Sequence, residues 1–546
     1  AINNNFFPVL SLADLNGDSM LDIVTTNRNA SYNGTSTISI FRNTIITPPI
    51  LITDFNPKQG TLSPTTTITI TGSGFNTISA SNAVFFGAVR ALTVTALSST
   101  QLQVVVPLGA NYQYISITNL GTNQTAYSAV PFVVTYPTSG DSFNAFASSV
   151  DYFSGAQRTF GHVVEDFNGD GKSDIVVVNN TSNLLTVYYN VTSVGSASIS
   201  FTTQTIALPA STDGTGIDSG DFDGDGKPDL VVVGYIPKLA VLYKNISTIS
   251  SISFTYTGIS LVVTANPRSV VVGDLDADGK LDIVVNGFTT NFLSVFRNIS
   301  VPGTISFTIK SDFSNGTGAF NNYGIALGDL DGDGRADVIS SNLNGLSILR
   351  NITTAPGSIN FFTGINTGVG VRSTIGLGDL NGDGKLDISA ANTTNTYIFL
   401  NNSTPGVISL SPTITLTSLA DTRAVTMGDV TGDGKPDLVT LSNVNGYSVS
   451  VFKNASTSTA FTTFAGREDY SATGSTVDPN SMAMSLVDLN SDGMLDIVLD
   501  KENPSVAGWI SILRNVIITP AMYITDFNPK QGTLSPTTTI TITGTG

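Results

Sequence analysis

Eight short stretches of this chain set aspartate or asparagine at alternate positions around glycine. They read DLNGDSMLD (14–22), DFNGDGKSD (166–174), DFDGDGKPD (221–229) and DLDADGKLD (274–282). They continue as DLDGDGRAD (329–337), DLNGDGKLD (379–387), DVTGDGKPD (429–437) and DLNSDGMLD (488–496). Carboxylates this close repel one another unless a cation sits between them. Hard cations such as calcium take six to eight oxygen ligands at about 2.3–2.6 Å, from carboxylates, amides, carbonyls and water. Counting the first aspartate as position 1, the oxygens of positions 1, 3, 5 and 9 are expected to converge on one ion. The expected ligands are Asp14, Asn16, Asp18, Asp22; Asp166, Asn168, Asp170, Asp174; Asp221, Asp223, Asp225, Asp229; and Asp274, Asp276, Asp278, Asp282. The later loops supply Asp329, Asp331, Asp333, Asp337; Asp379, Asn381, Asp383, Asp387; Asp429, Thr431, Asp433, Asp437; and Asp488, Asn490, Asp492, Asp496. Position 7 can add its carbonyl, and a glycine at position 6, as at Gly226, permits the tight turn. Thr431 at position 3 and Ser19 at position 6 mark the two loops expected to bind more weakly or under more strain.

Charge bookkeeping supports a localised site. The loops hold 27 of the 41 acidic residues in a chain of net charge −17, so the remaining 14 acids face 24 lysines and arginines. Eight divalent cations would bring the total close to neutral. The negative balance argues against a nucleic-acid partner, which needs a basic surface. Asp-Gly loops are often mere turns, but eight copies keeping oxygen at four positions point to a ligand. The first half of each loop is EF-hand-like, yet an EF-hand needs a bidentate glutamate at position 12. Val177 and Val232 stand there, and a strand follows, so an EF-hand is excluded. Loops of flexible geometry rich in carboxylate fit Ca2+ better than octahedral magnesium, about one ion per loop.

The elements that carry these loops read as strands. A chain of 546 residues exceeds one core, and its 40% hydrophobic and 12% charged composition is rich in Val, Ile, Thr, Ser and Asn. No apolar run reaches the about 18 residues of a membrane span. The chain opens AINNNFFPVL, so any targeting segment is expected to be removed or to lie outside it. With no cysteine, disulfides, zinc–thiolate sites and a cysteine nucleophile are excluded, and bound metal is the expected source of extra stability. From Asp166 the loops recur at intervals of 55, 53, 55, 50, 50 and 59 residues. One unit reads SVVVGD (269–274), loop, LDIVVNG (281–287), FLSVFRN (292–298) and an outer strand ISFTIKSDF (305–313). Four strands per period of about 50 predict a propeller. The first outer strand, 142–153, precedes its loop series, and the last loop is followed by only two strands. Pairing these ends would close seven blades over 137–518 without an open sheet edge. An eight-bladed ring is the alternative.

These motifs and their flanking strands resemble the FG-GAP, or VCBS, repeats of integrin α-type propellers. The resemblance implies calcium in the loops of one face, with the ligand roles named above. Integrin ligand binding needs a partner subunit's metal site that nothing here resembles. Residues 48–136 lack the loop and read as short strands with Pro and Gly turns. NPKQG, TITGSGF and VFFG resemble an IPT/TIG immunoglobulin-like sandwich. ITDFNPKQGTLSPTTTITITG occurs at 52–72 and again at 524–544. Residues 1–47 are therefore expected to be the last blade of a preceding propeller, and 519–546 the start of the next sandwich. The expected fold class is all-β: a seven-bladed propeller plus an immunoglobulin-like sandwich, tandemly repeated.

The expected function is a non-catalytic structural and adhesive unit of a long, calcium-stabilised extracellular fibre, resembling large bacterial surface adhesins. Its partners would be neighbouring repeats, other copies in the fibre, and a cell-surface glycan or protein. A lectin-like propeller is the runner-up, with Trp509 and the Tyr188–Tyr189 pair as sugar platforms, although aromatics on strands mostly pack. A polysaccharide lyase is the remaining alternative. The only histidine, His162, reads as an ordinary strand residue, and Glu165 as a local variation where most copies carry glycine. With one histidine, no Ser-His-Asp arrangement is nominated. Strand three ends in Asn-x-Ser/Thr at Asn190, Asn245, Asn298, Asn351, Asn402 and Asn454, a glycan acceptor in a eukaryotic secreted protein. Asn43 and Asn515 hold the same place without the sequon, which favours asparagine as a strand terminator.

Overall fold

In a computed structural model the chain is all-β, with one 3-10 turn, Ser79–Ser81, as the single helical element among the described residues. The structure describes 10–13, 22–27 and 37–41, most of 50–135 and 146–516, and the strands 523–528 and 541–545. The chain divides into a unit spanning 1–49 and a second spanning 50–546. In the first, Leu10–Ala13, Asp22–Asn27 and Thr37–Phe41 form an antiparallel sheet. Asp14, Asn16 and Asp18 of the first loop lie outside the described residues, as does the side chain of Asp22.

The second unit opens with a sandwich. One sheet orders Leu51–Asn56, Thr67–Ser73, Gln101–Val105 and Val94–Ser98; the other orders Gln124–Tyr127, Ile115–Asn119, Asn82–Phe86 and Val89–Arg90. Alternate residues of each strand turn inward, and Ile68, Ile70, Phe86, Leu102, Val104, Ile117 and Phe132 are fully buried. Phe86 meets Phe132 edge-on at 5.5 Å.

Beyond it lie seven four-stranded antiparallel sheets. In the second of these the strands are Gly214–Gly220, Asp229–Gly234, Leu239–Asn245 and Phe254–Val262. A metal-type loop joins each innermost strand to the next. Those second strands (Asp174–Asn179, Asp229–Gly234, Asp282–Gly287) are buried at every residue. Both faces are covered by neighbouring sheets, which explains unbroken runs such as DIVVV. Outer strands such as Phe201–Ala207 face water and are mostly exposed. The outer strand expected at 305–313 is regular only over Ser311–Ser314. Upstream, the Thr308 hydroxyl accepts the Arg297 N–H at 3.2 Å in place of a ladder carbonyl.

One sheet is assembled from both ends of this region. Val150–Phe153 pairs with Ala507–Leu513, followed by Asp496–Asn503 and Met484–Val487. Lys501 Nζ holds Asp151 at 2.9 Å across this junction, and the Thr159 hydroxyl of the next sheet donates to the Lys501 carbonyl at 2.9 Å. At the far end, Tyr523–Asn528 pairs with Thr541–Thr545.

Candidate metal centre

The loops fold by the same local bonds in all seven described copies. The position-1 carboxylate accepts the position-6 N–H at 2.7–2.9 Å. It also accepts the position-5 N–H at 3.1–3.2 Å. Position 5 accepts the N–H of position 7 at 2.9–3.1 Å. The position-9 aspartate is fully buried in every copy. Its Oδ2 takes the position-2 N–H, and its Oδ1 takes the N–H of the asparagine ending strand three. Position 9 therefore fastens the loop to the sheet as well as facing the site. A carboxylate has about four lone-pair sites, so these bonds leave capacity for a cation.

Three sets of ligand atoms lie within 4.8 Å of one another: Asp221, Asp223, Asp225; Asp274, Asp276, Asp282; and Asp329, Asp331, Asp333. Ligands on opposite sides of a calcium-sized ion stand about 5 Å apart, so the spacing fits. A second observation agrees. Asp223 Oδ1 and Asp276 Oδ1 are buried without a hydrogen-bond partner. Both are position-3 oxygens, and a buried acceptor left unpaired is costly unless a cation completes it. In the loop marked as weaker, the Thr431 N–H turns to Asp437 Oδ2 at 3.0 Å.

Burial sets the electrostatics. It pushes Asp166 and Asp221 up to about 7, with Asp170 and Asp225 respectively as the next cause. Asp229, Asp282 and Asp387 rise to about 8, Asp337 and Asp437 to about 7, and Asp379 and Asp488 to about 6, again chiefly by burial. Asp174, Asp429 and Asp496 rise well above the ordinary carboxylate range for the same reason.

Two further sets of residues surround the site; sequence reasoning missed the first and read the second only as strand ends. Lys244 bonds Asp223 and lies 2.9 Å from Asp225. Arg297 Nη2 reaches Asp278 at 2.7 Å, while Arg350 and Lys453 approach Asp331 and Asp433 at 3.5 Å. Each stands immediately before the strand-three asparagine. Where position 3 is the neutral Asn168 or Asn381, that place holds Tyr189 or Leu400 instead. Lys244, Arg297 and Arg350 stand beside four-aspartate loops, whereas Lys453 and Arg514 stand beside loops with three.

The second set is the asparagines themselves. Each donates its side-chain amide to the position-2 carbonyl of the preceding sheet's loop. The bonds run Asn245 to Phe167, Asn298 to Phe222, Asn351 to Leu275, Asn401 to Leu330, Asn454 to Leu380, Asn515 to Val430 and Asn190 to Leu489, all at 2.8–2.9 Å. The cycle returns to its start. These amides are buried and leave no room for a glycan, so the strand-terminator reading holds. In the fifth repeat the buried residue is Asn401, and Asn402 is exposed. Asn298→Ala would orphan the carbonyls of Phe222 and Leu281. It is expected to cost about 2–4 kcal/mol, read as a lower urea midpoint at unchanged m-value.

The sandwich is seated on the loops. Arg90 Nη1 donates to the Gly171 carbonyl at 3.4 Å. Gly226 has φ +88, and a Cβ there would stand 1.9 Å from Gln124 Cα. At Gly279, the same loop position with φ +82, a Cβ would meet open space. Gly279→Ala is expected to cost only the backbone strain, about 1–2 kcal/mol. Gly226→Ala is expected to cost more and to loosen the sandwich, visible as faster amide exchange along Gln124–Tyr127.

The remaining sequence candidates fall as follows. Tyr188 is fully buried, and the Tyr189 hydroxyl donates to Asp170 at 3.2 Å. Trp509 packs on Phe153 at 5.1 Å. Tyr188 is thereby closed to a sugar, while Tyr189 and Trp509 are half-buried. Glu165 is half-buried beside Asp166, and desolvation raises it to about 8. His162 Nδ1 lies 2.7 Å from Asp500, and its Nε2 lies 2.9 Å from the Ser485 hydroxyl.

The FG-GAP-like repeat model matches 166–232, 274–340 and 379–440, and the IPT/TIG domain model matches 49–134. No curated protein matches the chain. Among solved structures, a functionally unknown protein from Desulfotomaculum acetoxidans is similar at 14% identity and TM-score 0.38, over 65% of this chain and 91% of that one. An Agrocybe aegerita lectin that recognises non-reducing terminal N-acetylglucosamine is similar at 17% identity and TM-score 0.35, over 68% and 94%. A Lactobacillus plantarum protein is similar at 11% identity and TM-score 0.39, over 71% and 95%.

Proposed function

From a chain that carries FG-GAP-like repeats and an IPT/TIG domain, we propose a structural and adhesive unit of an extracellular, calcium-stabilised fibre. The seven sheets are the blades of one propeller, and calcium is the ion of their loops. Modules of both kinds are typically non-catalytic, and this role needs no catalysis. One observation carries the reading. Every described loop is wired into the next sheet through a strand-three asparagine, and the sandwich rests on the loops. An ion that orders the loops therefore orders the ring and the joint to its spacer together, because the site exists only in the folded chain. Residues 1–47 and 519–546 are then parts of neighbouring repeats in a tandem array. The chain's partners are its own repeats, further copies in the fibre, and a surface ligand elsewhere on it.

When calcium is bound, it supplies charge neutralisation and cross-linking of ligands from both ends of each loop. The protein's side chains orient the oxygens, exclude water from position 9 and hold each loop to its sheet. A glycan array separates this role from that of a lectin. The whole chain with excess calcium is expected to bind no glycan, and saturable binding would replace the scaffold with a sugar-binding propeller. The pull-off force between surface-tethered chains is expected to fall when calcium is removed; an unchanged force would remove the fibre role.

A further inference from the structure

Ser485, His162 and Asp500 come from three strands that meet only where the first and last sheets of the ring close. Ser485 lies on Met484–Val487, Asp500 on Asp496–Asn503 and His162 on Thr159–Glu165. The side chains of His162 and Asp500 are fully buried. Ser485 and His162 line a cavity of about 450 Å³ between the sandwich and the innermost strands. We propose that these three residues form a nucleophilic centre for acyl transfer, taking short-chain esters of neutral alcohols. This stands apart from the scaffold role and uses none of the loop carboxylates.

The hydrogen bonds fix the roles. A carboxylate only accepts, so at 2.7 Å from Asp500 the Nδ1 of His162 carries the proton. Nε2 then presents its lone pair to the Ser485 hydroxyl at 2.9 Å. This is the distance at which a general base takes a proton from a nucleophile, with a third group orienting the base. The sheet ladder adds the electrophilic element. The Asp500 N–H donates to the Ala483 carbonyl at 3.3 Å, and Ser485 stands opposite Val498. Bonding alternates along an antiparallel ladder, so 483, 485 and 487 face the neighbouring strand. The N–H groups of Met484 and Leu486 turn the other way, toward the cavity that both residues line. Leu486 N–H, from the residue after the serine, is placed to receive an oxyanion.

The reaction balances within these groups. The Ser485 oxygen attacks the ester carbonyl as its proton passes to His162 Nε2, and the oxyanion rests on Leu486 N–H. Collapse breaks the ester C–O bond, and the leaving alkoxide takes the proton from Nε2. Water repeats the route, releasing the acid and restoring the serine. The substrate class follows from the walls. Tyr114, Tyr127, Glu165, Asp218 and Asp274 face the cavity, and among the described residues its lining holds no lysine or arginine, so an anionic ester would find no counter-charge.

The test treats the whole chain with a fluorophosphonate probe and maps the adduct by mass spectrometry, alongside p-nitrophenyl acetate hydrolysis. The expected result is a single adduct on Ser485, absent in Ser485→Ala. Hydrolysis should fall at least ~100-fold in His162→Gln and in Asp500→Asn. Ser485→Ala removes the partner of the buried His162 Nε2 and should melt a few degrees below the parent chain while staying folded. An unlabelled Ser485 in the folded parent chain overturns the proposal and leaves the three residues as a packing network. So does labelling that persists unchanged in His162→Gln. Should either histidine or aspartate variant fail to fold, the labelling of the parent chain decides alone.

Discussion

Stripping divalent cations is expected to lower the melting temperature of this chain by on the order of 20 °C. Each loop filled at 100-fold excess over its dissociation constant contributes about 2.7 kcal/mol to the folded state. The ring links the loops through buried asparagine amides, so their losses fall on one cooperative structure. Metal analysis of the loaded chain should find about one ion per loop, for the eight loops in the sequence. The loop with Thr431 should lose its ion first on dilution, because position 3 there offers a hydroxyl where every other loop presents a carboxylate or amide oxygen. Two or fewer ions per chain, with an unchanged melting curve in chelator, would reduce the loops to hydrogen-bonded turns.

The second large effect is a reversal of pH dependence. In the metal-free fold, burial raises Asp166, Asp221, Asp337 and Asp437 to about 7 and Asp229, Asp282 and Asp387 to about 8. Unfolded, they return to about 3.9. The folded state then holds more protons than the unfolded one between about pH 4 and 8. Stability contributed by these groups is complete below the unfolded value and is lost as pH rises through the folded one. The metal-free chain should therefore melt higher at pH 5 than at pH 8. With excess calcium the slope inverts, since protons and the ion compete for the same oxygens. Melting curves from pH 5 to 8 with and without calcium check both signs. Parallel slopes in the two series would show that the buried carboxylates and the ion do not share a site.

The loops and the strands around them were legible because each is a local pattern. Nine residues span the four candidate oxygens of a loop, and a strand buried on both faces shows itself as DIVVV or DLVVV without reference to a neighbour. Repetition did the rest, since one Asp-Gly turn is ambiguous and eight in register are not. Lys244, Arg297 and the strand-three asparagines were harder. They lie about 20 residues from the loop they serve, and the sequon around each asparagine offered a competing reason for its presence.

The sequence by itself determined the class of fold, the loop chemistry and the places where strand and turn alternate, because spacing along a chain fixes which oxygens and apolar groups share a neighbourhood. Tertiary structure alone decided the rest. It brought Asn190 to Leu489, 299 residues away, seated Gln124 on Gly226, and set His162 beside Ser485 and Asp500 across 323 and 338 residues. Closure of a ring joins its first and last sheets whatever lies between them, so the contacts at that junction follow from how the sheets pack. No pattern within a single repeat encodes them.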